Sequence, residues 1–185
     1  MFCKPDDYTG VYMKSESMET HKRSAPKSVK AGVITLSDSK YRDFLESKDT
    51  DVSGRLIKNA LNRDHEVISY SVIPDDPKLL RSKIGDMMDK NVEVILTTGG
   101  TGIGSRDITI ETLRPLFDKE LDGFGEIFRY ESYKELGTGA ILSRATAGVY
   151  EGTIIIAMPG SPNAVNLGLR LIMPELGHLV KHVKE

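Results

Sequence analysis

From Val29 onward, hydrophobic residues form short β-branched runs that alternate with stretches in which apolar residues recur at helical spacing. Few polar residues interrupt these runs, which is typical of strands that are buried on both faces of a sheet. The runs predict strands at 29–37, 66–74, 92–98, 145–150 and 153–158.

The segments with helical spacing predict helices at 53–64, 77–90, 109–118 and 125–136, and from residue 162 to the C-terminus. Ser53 is the predicted N-cap of the first helix, and Pro77 suits the first turn of the second. Pro174 is expected to break or kink the last helix. We expect residues 38–52 to form a polar, charge-rich loop.

Repeated strand–helix–strand units predict an α/β fold with a mostly parallel sheet and helices on both faces. In such sheets, ligands bind at the carboxyl ends of the strands. Four loops lie at those ends: one begins at Ser37, and the others cover residues 74–76, 99–107 and 159–164. The corner at 142–144 can belong to the same group of loops. Candidate chemistry is therefore expected in these loops.

Composition narrows the class of protein without naming an activity. The chain has 185 residues, and its 25 Lys and Arg against 27 Asp and Glu give a net charge of −2. This near-neutral balance argues against a protein that coats nucleic acid. A single cysteine, Cys3, fits a reducing cytosol, and no apolar run is long enough to cross a membrane. We therefore expect a cytoplasmic protein without nucleic-acid or membrane partners.

Residues 1–28 differ from the rest of the chain because they are polar, of mixed charge and without periodicity. Such a segment buries too little apolar surface to offset its ordering entropy by itself. We interpret 1–28 as an N-terminal arm that becomes ordered against a partner chain, and 29–185 as the folded domain. Cys3 is interpreted as a bystander in this arm.

The segment GGTGIGSRD at 99–107 is the strongest local signal. Its glycines allow backbone N–H groups to approach a ligand closely, which suits phosphate or another anion. Thr101 and Ser105 add hydroxyl donors, and Arg106 offers a fork that matches phosphate oxygens. The segment lacks the P-loop lysine, and Ser105 occupies the place of the third glycine of a dinucleotide fingerprint. The alternative is a glycine-rich turn that binds nothing.

Two aspartates follow strands near this segment. Asp107 would repel an anion unless a cation lies between them, and Mg²⁺ bound to phosphate oxygens commonly has that role. The alternative is an N-cap for the next helix. Asp75 has the same two interpretations, as part of a turn and cap between Pro74 and Pro77 or as a second carboxylate at the same site.

The last strand is followed by a second candidate loop, MPGSPNA at 158–164. Gly160 allows a close approach, and Ser161 or Asn163 can cap the next helix or bind a ligand at its positive end. His178 and His182 have a spacing that can bind metal, but no third ligand is evident. We interpret this histidine pair as solvated residues at a helix end.

Four motifs occur together in the chain: TTGGTGIGSRDITIETLRPLF, LDGFGEIFR, AILSRATAG and MPGSPNAV. In this order and spacing they resemble the MoaB/MogA family of molybdenum-cofactor biosynthesis proteins, from about Val29 to the C-terminus. Ile110 stands where MogA proteins usually have proline, so the sequence is more similar to MoaB. The resemblance implies a three-layer α/β sandwich of the molybdopterin-binding (MogA-like) fold and a homotrimer or homohexamer.

The resemblance also implies the site residues. Asp75 and Asp107 match the two acidic positions of the family, which implies catalytic and Mg²⁺-binding roles. Arg55 replaces a proline that often follows the Ser53–Gly54 pair. The residues that match the other motifs, and that are thereby implied to bind ATP and molybdopterin, are Ser37, Asp38, Asp51, Ser53, Gly54, Gly99, Gly100, Thr101, Gly102, Ser105, Arg106, Ser143, Arg144, Pro159, Gly160, Ser161, Pro162, Asn163 and Ala164.

Three functional hypotheses follow. The first, implied by the resemblance, is a molybdopterin adenylyltransferase that transfers AMP from ATP to molybdopterin with Mg²⁺ and serves a downstream metal-insertion protein. The alternative is a non-catalytic molybdopterin-binding or assembly protein of the same pathway. A nicotinamide-dependent oxidoreductase is the weakest hypothesis, because the third fingerprint glycine and a clear ribose-binding acid are missing.

Overall fold

A computed structural model describes residues 25–185. Most of the expected N-terminal arm, residues 1–24, lies outside this range. Ala25 and Pro26 lie beside Gly177 near the C-terminus, where the Pro26 carbonyl oxygen occupies the space that a Cβ on Gly177 would need. The chain therefore enters the folded domain along its last helix.

The sheet has six strands in the order β2-β1-β3-β6-β5-β4. Strands β1, β2, β3 and β6 pair in parallel, whereas β5 is antiparallel to both of its neighbours. The prediction of a mostly parallel sheet is therefore confirmed. The strands are β1 Lys30–Leu36, β2 Glu66–Ile73, β3 Val94–Thr98, β4 Lys119–Glu120, β5 Thr146–Tyr150 and β6 Thr153–Met158.

Helices cover both faces of the sheet and complete three layers. Helices α2, α5, α6 and α7 pack on one face, and α3 and α4 pack on the other. The α-helices of the described range are α1 Asp38–Leu45, α2 Val52–Leu61, α3 Pro77–Met88, α4 Thr109–Leu113, α5 Asp122–Leu136, α6 Pro162–Ile172 and α7 Leu176–Lys184. Short 3-10 helices occupy Arg114–Leu116, Gly137–Leu142 and Met173–Glu175.

The central strands are buried on both sides because alternate residues point to opposite helical layers. In β3, Val94 and Leu96 join the core under α2, α5, α6 and α7, whereas Ile95 joins the core under α3 and α4. All three side chains are fully buried. This double burial explains why the strands appear in the sequence as unbroken apolar runs.

The predicted break in the last helix is confirmed. Helix α6 ends at Ile172, a 3-10 turn carries Pro174, and α7 begins at Leu176. Proline has no N–H to donate and cannot continue the helical hydrogen bonding. The predicted helix at 109–118 is shorter than expected because a 3-10 turn with Pro115 replaces its second half.

The predicted loop at 38–52 is wrong in part, because residues Asp38–Leu45 form helix α1. Helix α1 has no buried residue, so the apolar periodicity that predicts helices is weak there. The predicted N-cap Ser53 is also wrong, since Asp51 caps α2 and accepts a hydrogen bond from the Gly54 N–H. Within the described residues, no helix is long and apolar enough to cross a membrane.

Candidate active site

The carboxyl ends of the four parallel strands surround a cavity of about 550 Å³. It lies where the strand order reverses between β1 and β3, the place at which open α/β sheets bind ligands. Among the predicted site residues, those that line this main cavity are Ser37, Asp51, Ser53, Asp75, Gly99, Gly100, Thr101, Gly102, Arg106, Asp107, Pro159, Gly160 and Pro162.

Two consecutive glycines shape the loop after β3. Gly99 and Gly100 have φ angles of +94° and +60°, which L-residues with a side chain rarely adopt. A Cβ on Gly100 would lie 2.6 Å from Thr109 Oγ1 and 2.7 Å from Asp75 Oδ1. Thr109 holds the turn, because its hydroxyl donates to the Gly99 carbonyl and its N–H donates to the Gly100 carbonyl. Only glycine fits at this point of the cavity wall.

Asp75 is partly buried at the end of β2. Its Oδ2 atom accepts a hydrogen bond from the Asp38 N–H at 3.1 Å, whereas its Oδ1 atom is buried and meets no donor among the described residues. Burial raises the pKa of Asp75, and the nearby carboxylates of Asp38 and Asp107 act in the same direction. The neighbouring Asp76 caps α3, so the two acids of this turn have different positions and contacts.

Arg106 forms an ion pair with Asp38 across the mouth of the cavity. Its Nε and Nη2 atoms donate to the Asp38 carboxylate at 2.8–3.0 Å, and this hydrogen bonding lowers the pKa of Asp38. Asp38 Oδ1 also accepts the Asp75 N–H. The sequence predicts a phosphate contact for Arg106, but the ion pair leaves no signal in the sequence because 68 residues separate its partners.

Asp107 is not the N-cap of α4, so that interpretation is wrong. The cap position is Ile108, which makes no side-chain hydrogen bond. Asp107 Oδ2 instead accepts the Gly104 N–H at 2.9 Å and lies 2.6 Å from the place where a Cβ on Gly102 would be. Asp107 therefore stabilises the glycine-rich loop and faces the same cavity as Asp75.

The opposite wall of the cavity comes from the start of α2. Asp51 is buried and accepts hydrogen bonds from Gly54 N–H at 2.9 Å and from the Tyr70 hydroxyl at 2.5 Å. Burial and the Asp51 carboxylate raise the pKa of Tyr70. The Ser53 hydroxyl donates to the Gly160 carbonyl at 2.7 Å, which ties α2 to the loop after β6.

Arg144 lies behind the glycine-rich loop and does not line the cavity. Its Nη1 atom donates to the Gly102 carbonyl at 2.8 Å, and its Nη2 atom forms an ion pair with Glu111 of α4. Arg144 is therefore the residue of the AILSRATAG motif that contacts the site, and its two contacts stabilise the conformation of the glycine-rich loop. The predicted site residues that do not line the cavity are Asp38, Gly54, Ser105, Ser143, Arg144, Ser161, Asn163 and Ala164.

Seven residues that are not among the predicted site residues also line the cavity: Thr35, Leu36, Lys40, Thr50, Val52, Thr98 and Leu142. Lys40 is the cation among them, and its position one turn into α1 would have been evident if that helix had been predicted. A second cavity of about 410 Å³ shares Lys40, Thr50 and Asp51 with the first and adds Phe44 and Tyr70. The two cavities are therefore neighbours, separated by these shared residues.

The donor set suits Mg²⁺. This ion prefers oxygen ligands and is commonly held by one or two carboxylates together with substrate phosphates and water. The orphaned Oδ1 atom of Asp75 is an oxygen whose negative charge a cation would compensate. Within residues 25–185, no cluster of three or more His, Cys, Asp or Glu side chains could hold a metal by itself. Phosphate oxygens would therefore have to complete the coordination.

These features define an α/β protein with a glycine-rich loop and two acids at the switch point of its sheet. Residues 32–178 match the model of the family described as "Probable molybdopterin binding domain". Because this match covers most of the chain, the chain belongs to that family. The resemblance to the MoaB/MogA family and the expected α/β fold are thereby confirmed.

Individual relatives support this membership. The molybdopterin adenylyltransferase of Pyrococcus furiosus is 44% identical over 172 residues, which cover 91% of this chain and 99% of that protein. The molybdenum cofactor biosynthesis protein B of Bacillus subtilis is 44% identical over 91% of this chain and 98% of its own length. The crystal structure of the tungsten cofactor synthesizing protein MoaB from Pyrococcus furiosus superposes with a TM-score of 0.80, at 44% identity, over 87% of this chain and 100% of that one.

Proposed function

We propose that this protein is a molybdopterin adenylyltransferase of molybdenum or tungsten cofactor biosynthesis. An oxygen of the terminal phosphate of molybdopterin would attack the α-phosphorus of ATP. The bond from the α-phosphorus to the bridging oxygen of pyrophosphate would then break. The convergence of Asp75, Asp107 and the glycine-rich loop in one cavity carries this proposal. Nearly full-length relatives that are named for the same reaction support it.

Transfer of this kind requires positioning and charge neutralisation more than covalent chemistry by the protein. The N–H groups of Gly100, Thr101 and Gly102 would bind phosphate oxygens of ATP, whereas the Gly99 N–H already donates to the Met158 carbonyl. Lys40 and the N-terminus of α6 at Pro162 add positive potential to the same cavity. Arg106 would exchange its ion pair with Asp38 for a phosphate contact when the nucleotide enters.

Mg²⁺ belongs to this proposal because three negative groups meet in the cavity: Asp75, Asp107 and the triphosphate. When bound, the ion would neutralise charge on the phosphates and on the leaving pyrophosphate. Asp75 would hold it, since its Oδ1 atom meets no donor among the described residues. Asp107 would orient the ion or its water, because one of its oxygens is already engaged by Gly104.

The test is a single-turnover assay with purified protein, molybdopterin, ATP and Mg²⁺. We expect adenylylated molybdopterin and pyrophosphate in equal amounts, no pyrophosphate without molybdopterin, and loss of the reaction when EDTA removes the metal. Tight molybdopterin binding without pyrophosphate would instead support the non-catalytic assembly protein. Tight NAD binding together with hydride transfer would instead support the oxidoreductase, the weakest of the hypotheses.

The proposal extends to assembly and location. A homotrimer or homohexamer is supported by apolar side chains that α5 and the following turn leave exposed, namely Ile127, Tyr130, Tyr133, Leu136 and Ile141. Adenylylated molybdopterin is an activated intermediate that a later reaction must use, so a downstream metal-insertion protein is the proposed partner. We also propose a cytoplasmic location, since the reaction uses ATP.

A further inference from the structure

Lys40, in the first turn of α1, borders both cavities of the site. Its own N–H donates to the Ser37 hydroxyl at 3.3 Å, and the Ser37 N–H donates to the Ile73 carbonyl at 2.9 Å. These two hydrogen bonds hold the start of α1 between the carboxyl ends of β1 and β2. The backbone that carries Lys40 therefore has a defined place at the boundary between the cavities.

The ammonium group of Lys40 is an uncompensated positive charge. Among residues 25–185, this group forms no ion pair and no hydrogen bond. The other described cation that lines the main cavity is Arg106, and it is paired with Asp38. An ammonium group binds phosphate as a point charge. Lys40 is therefore a cation of the cavity wall that is available to an anionic ligand.

The proposed reaction brings together two phosphate groups, one from each substrate, and the inference drawn below rests on that proposal. In such a displacement, the attacking and leaving oxygens lie roughly in line on opposite sides of the phosphorus atom. If the glycine-rich loop binds the phosphates of ATP, pyrophosphate leaves on the side of that loop. The attacking phosphate then approaches from the opposite wall at the start of α2, where Lys40 borders the cavities together with Thr50 and Asp51.

We propose that Lys40 binds the terminal phosphate of molybdopterin and thereby places the attacking oxygen opposite the leaving pyrophosphate. The contact reduces the repulsion between two anionic substrates that must come together. The ring system attached to this phosphate lies on the side of the second cavity, which Phe44 and Tyr70 line. Phe44 has 58% of its surface exposed and offers an aromatic face to a planar ring. Lys40 is therefore the residue that recognises the acceptor and not the nucleotide.

The experiment measures binding without turnover, by anaerobic calorimetric titration of the full-length protein. The ligands are molybdopterin, dephosphorylated molybdopterin and α,β-methylene-ATP with Mg²⁺, whose α–β bridge cannot be cleaved. We expect Lys40→Met to bind molybdopterin about tenfold more weakly or worse, and the ATP analogue with unchanged affinity. The loss should disappear with dephosphorylated molybdopterin, because the group that Lys40 contacts is then missing. Lys40→Arg keeps the charge and should recover most of the affinity.

Lys90→Met is the matched control, because this exposed lysine lies between α3 and β3, at the amino ends of the parallel strands. It should bind all three ligands like the parent, and circular dichroism verifies that each variant is folded. In the transfer assay, Lys40→Met should raise KM for molybdopterin about tenfold and leave KM for ATP unchanged.

Parental affinity for molybdopterin in folded Lys40→Met would overturn the proposal. So would a loss of affinity for the ATP analogue instead, or an equal loss for molybdopterin with and without its phosphate. A parent protein that binds molybdopterin through Lys40 but releases no pyrophosphate would contradict the proposed transfer and keep the assignment of Lys40. A parent protein that does not bind molybdopterin would overturn both.

Discussion

Asp75 has a carboxylate oxygen that is buried without a hydrogen-bond donor among the described residues, and burial raises its pKa. A raised pKa means that the fold disfavours the ionised form, so this residue reduces stability at neutral pH. The same negative charge is what a cation in the cavity would require. Asp75 is therefore a position at which activity and stability make opposite demands.

Replacement of Asp75 by asparagine should separate these demands. We expect Asp75→Asn to lose about 100-fold or more in adenylyl transfer, yet to melt about 2 °C higher at neutral pH. Because the wild type loses stability as pH rises through the raised pKa, the difference in melting temperature should shrink as pH falls toward the ordinary value of 3.8. Calorimetry between neutral and acidic pH measures it. A lower melting temperature for the variant would contradict this account.

Asp107 should behave differently, since its carboxylate already accepts the Gly104 N–H. An asparagine carbonyl can accept the same hydrogen bond, so Asp107→Asn should keep the melting temperature while transfer falls by about 100-fold or more. Pyrophosphate release under single-turnover conditions is the measurement. Asp86→Asn is the control. This exposed acid of α3 pairs with Lys83 on the same helix, so its replacement should leave transfer unchanged. Near-normal transfer by Asp107→Asn would exclude the proposed role.

At the scale of elements, the longer strands of the sheet could be predicted from the sequence. They are buried on both faces, so nearly all of their residues are apolar and form continuous runs in the sequence. Helix α1 could not, since it buries no residue and its charges indicate a loop as readily as a helix. The two-residue strand β4, Lys119–Glu120, is too short for any period to be visible. Contacts between distant segments, such as the Arg106–Asp38 ion pair, leave no local signal in the sequence.

The glycine-rich loop depends on a neighbouring element for its conformation. Arg144 connects the Gly102 carbonyl to Glu111 of α4, and only a forked side chain can make both contacts at once. We expect Arg144→Lys to lower kcat/KM for ATP by about tenfold and to speed amide exchange in residues 99–107. Arg170→Lys is the control, because its exposed ion pair with Glu135 lies between two helices away from the loop. Unchanged exchange in the variant would show that the loop is rigid without this arginine.

At the scale of the whole molecule, the exposed apolar side chains of α5 bear on assembly. Large exposed apolar side chains often mark a subunit interface. Leu136, with 63% of its surface exposed, is among these side chains. If the proposed trimer or hexamer uses this surface, Leu136→Arg should yield monomers in light scattering after size-exclusion chromatography. Leu79→Arg makes the same substitution at an exposed leucine of α3, away from the apolar side chains of α5, and should leave the oligomer intact. Equal masses for both variants and the parent would place the interface elsewhere.

The hydrogen bond from Ser53 to the Gly160 carbonyl joins residues that are 107 positions apart. During synthesis on the ribosome, the chain grows from its N-terminus, so β1, α2 and the glycine-rich loop emerge long before their partner across the cavity. A nascent chain that stops before β6 has no closed wall at this place. The ability to hold a nucleotide would therefore arise only when translation is nearly finished.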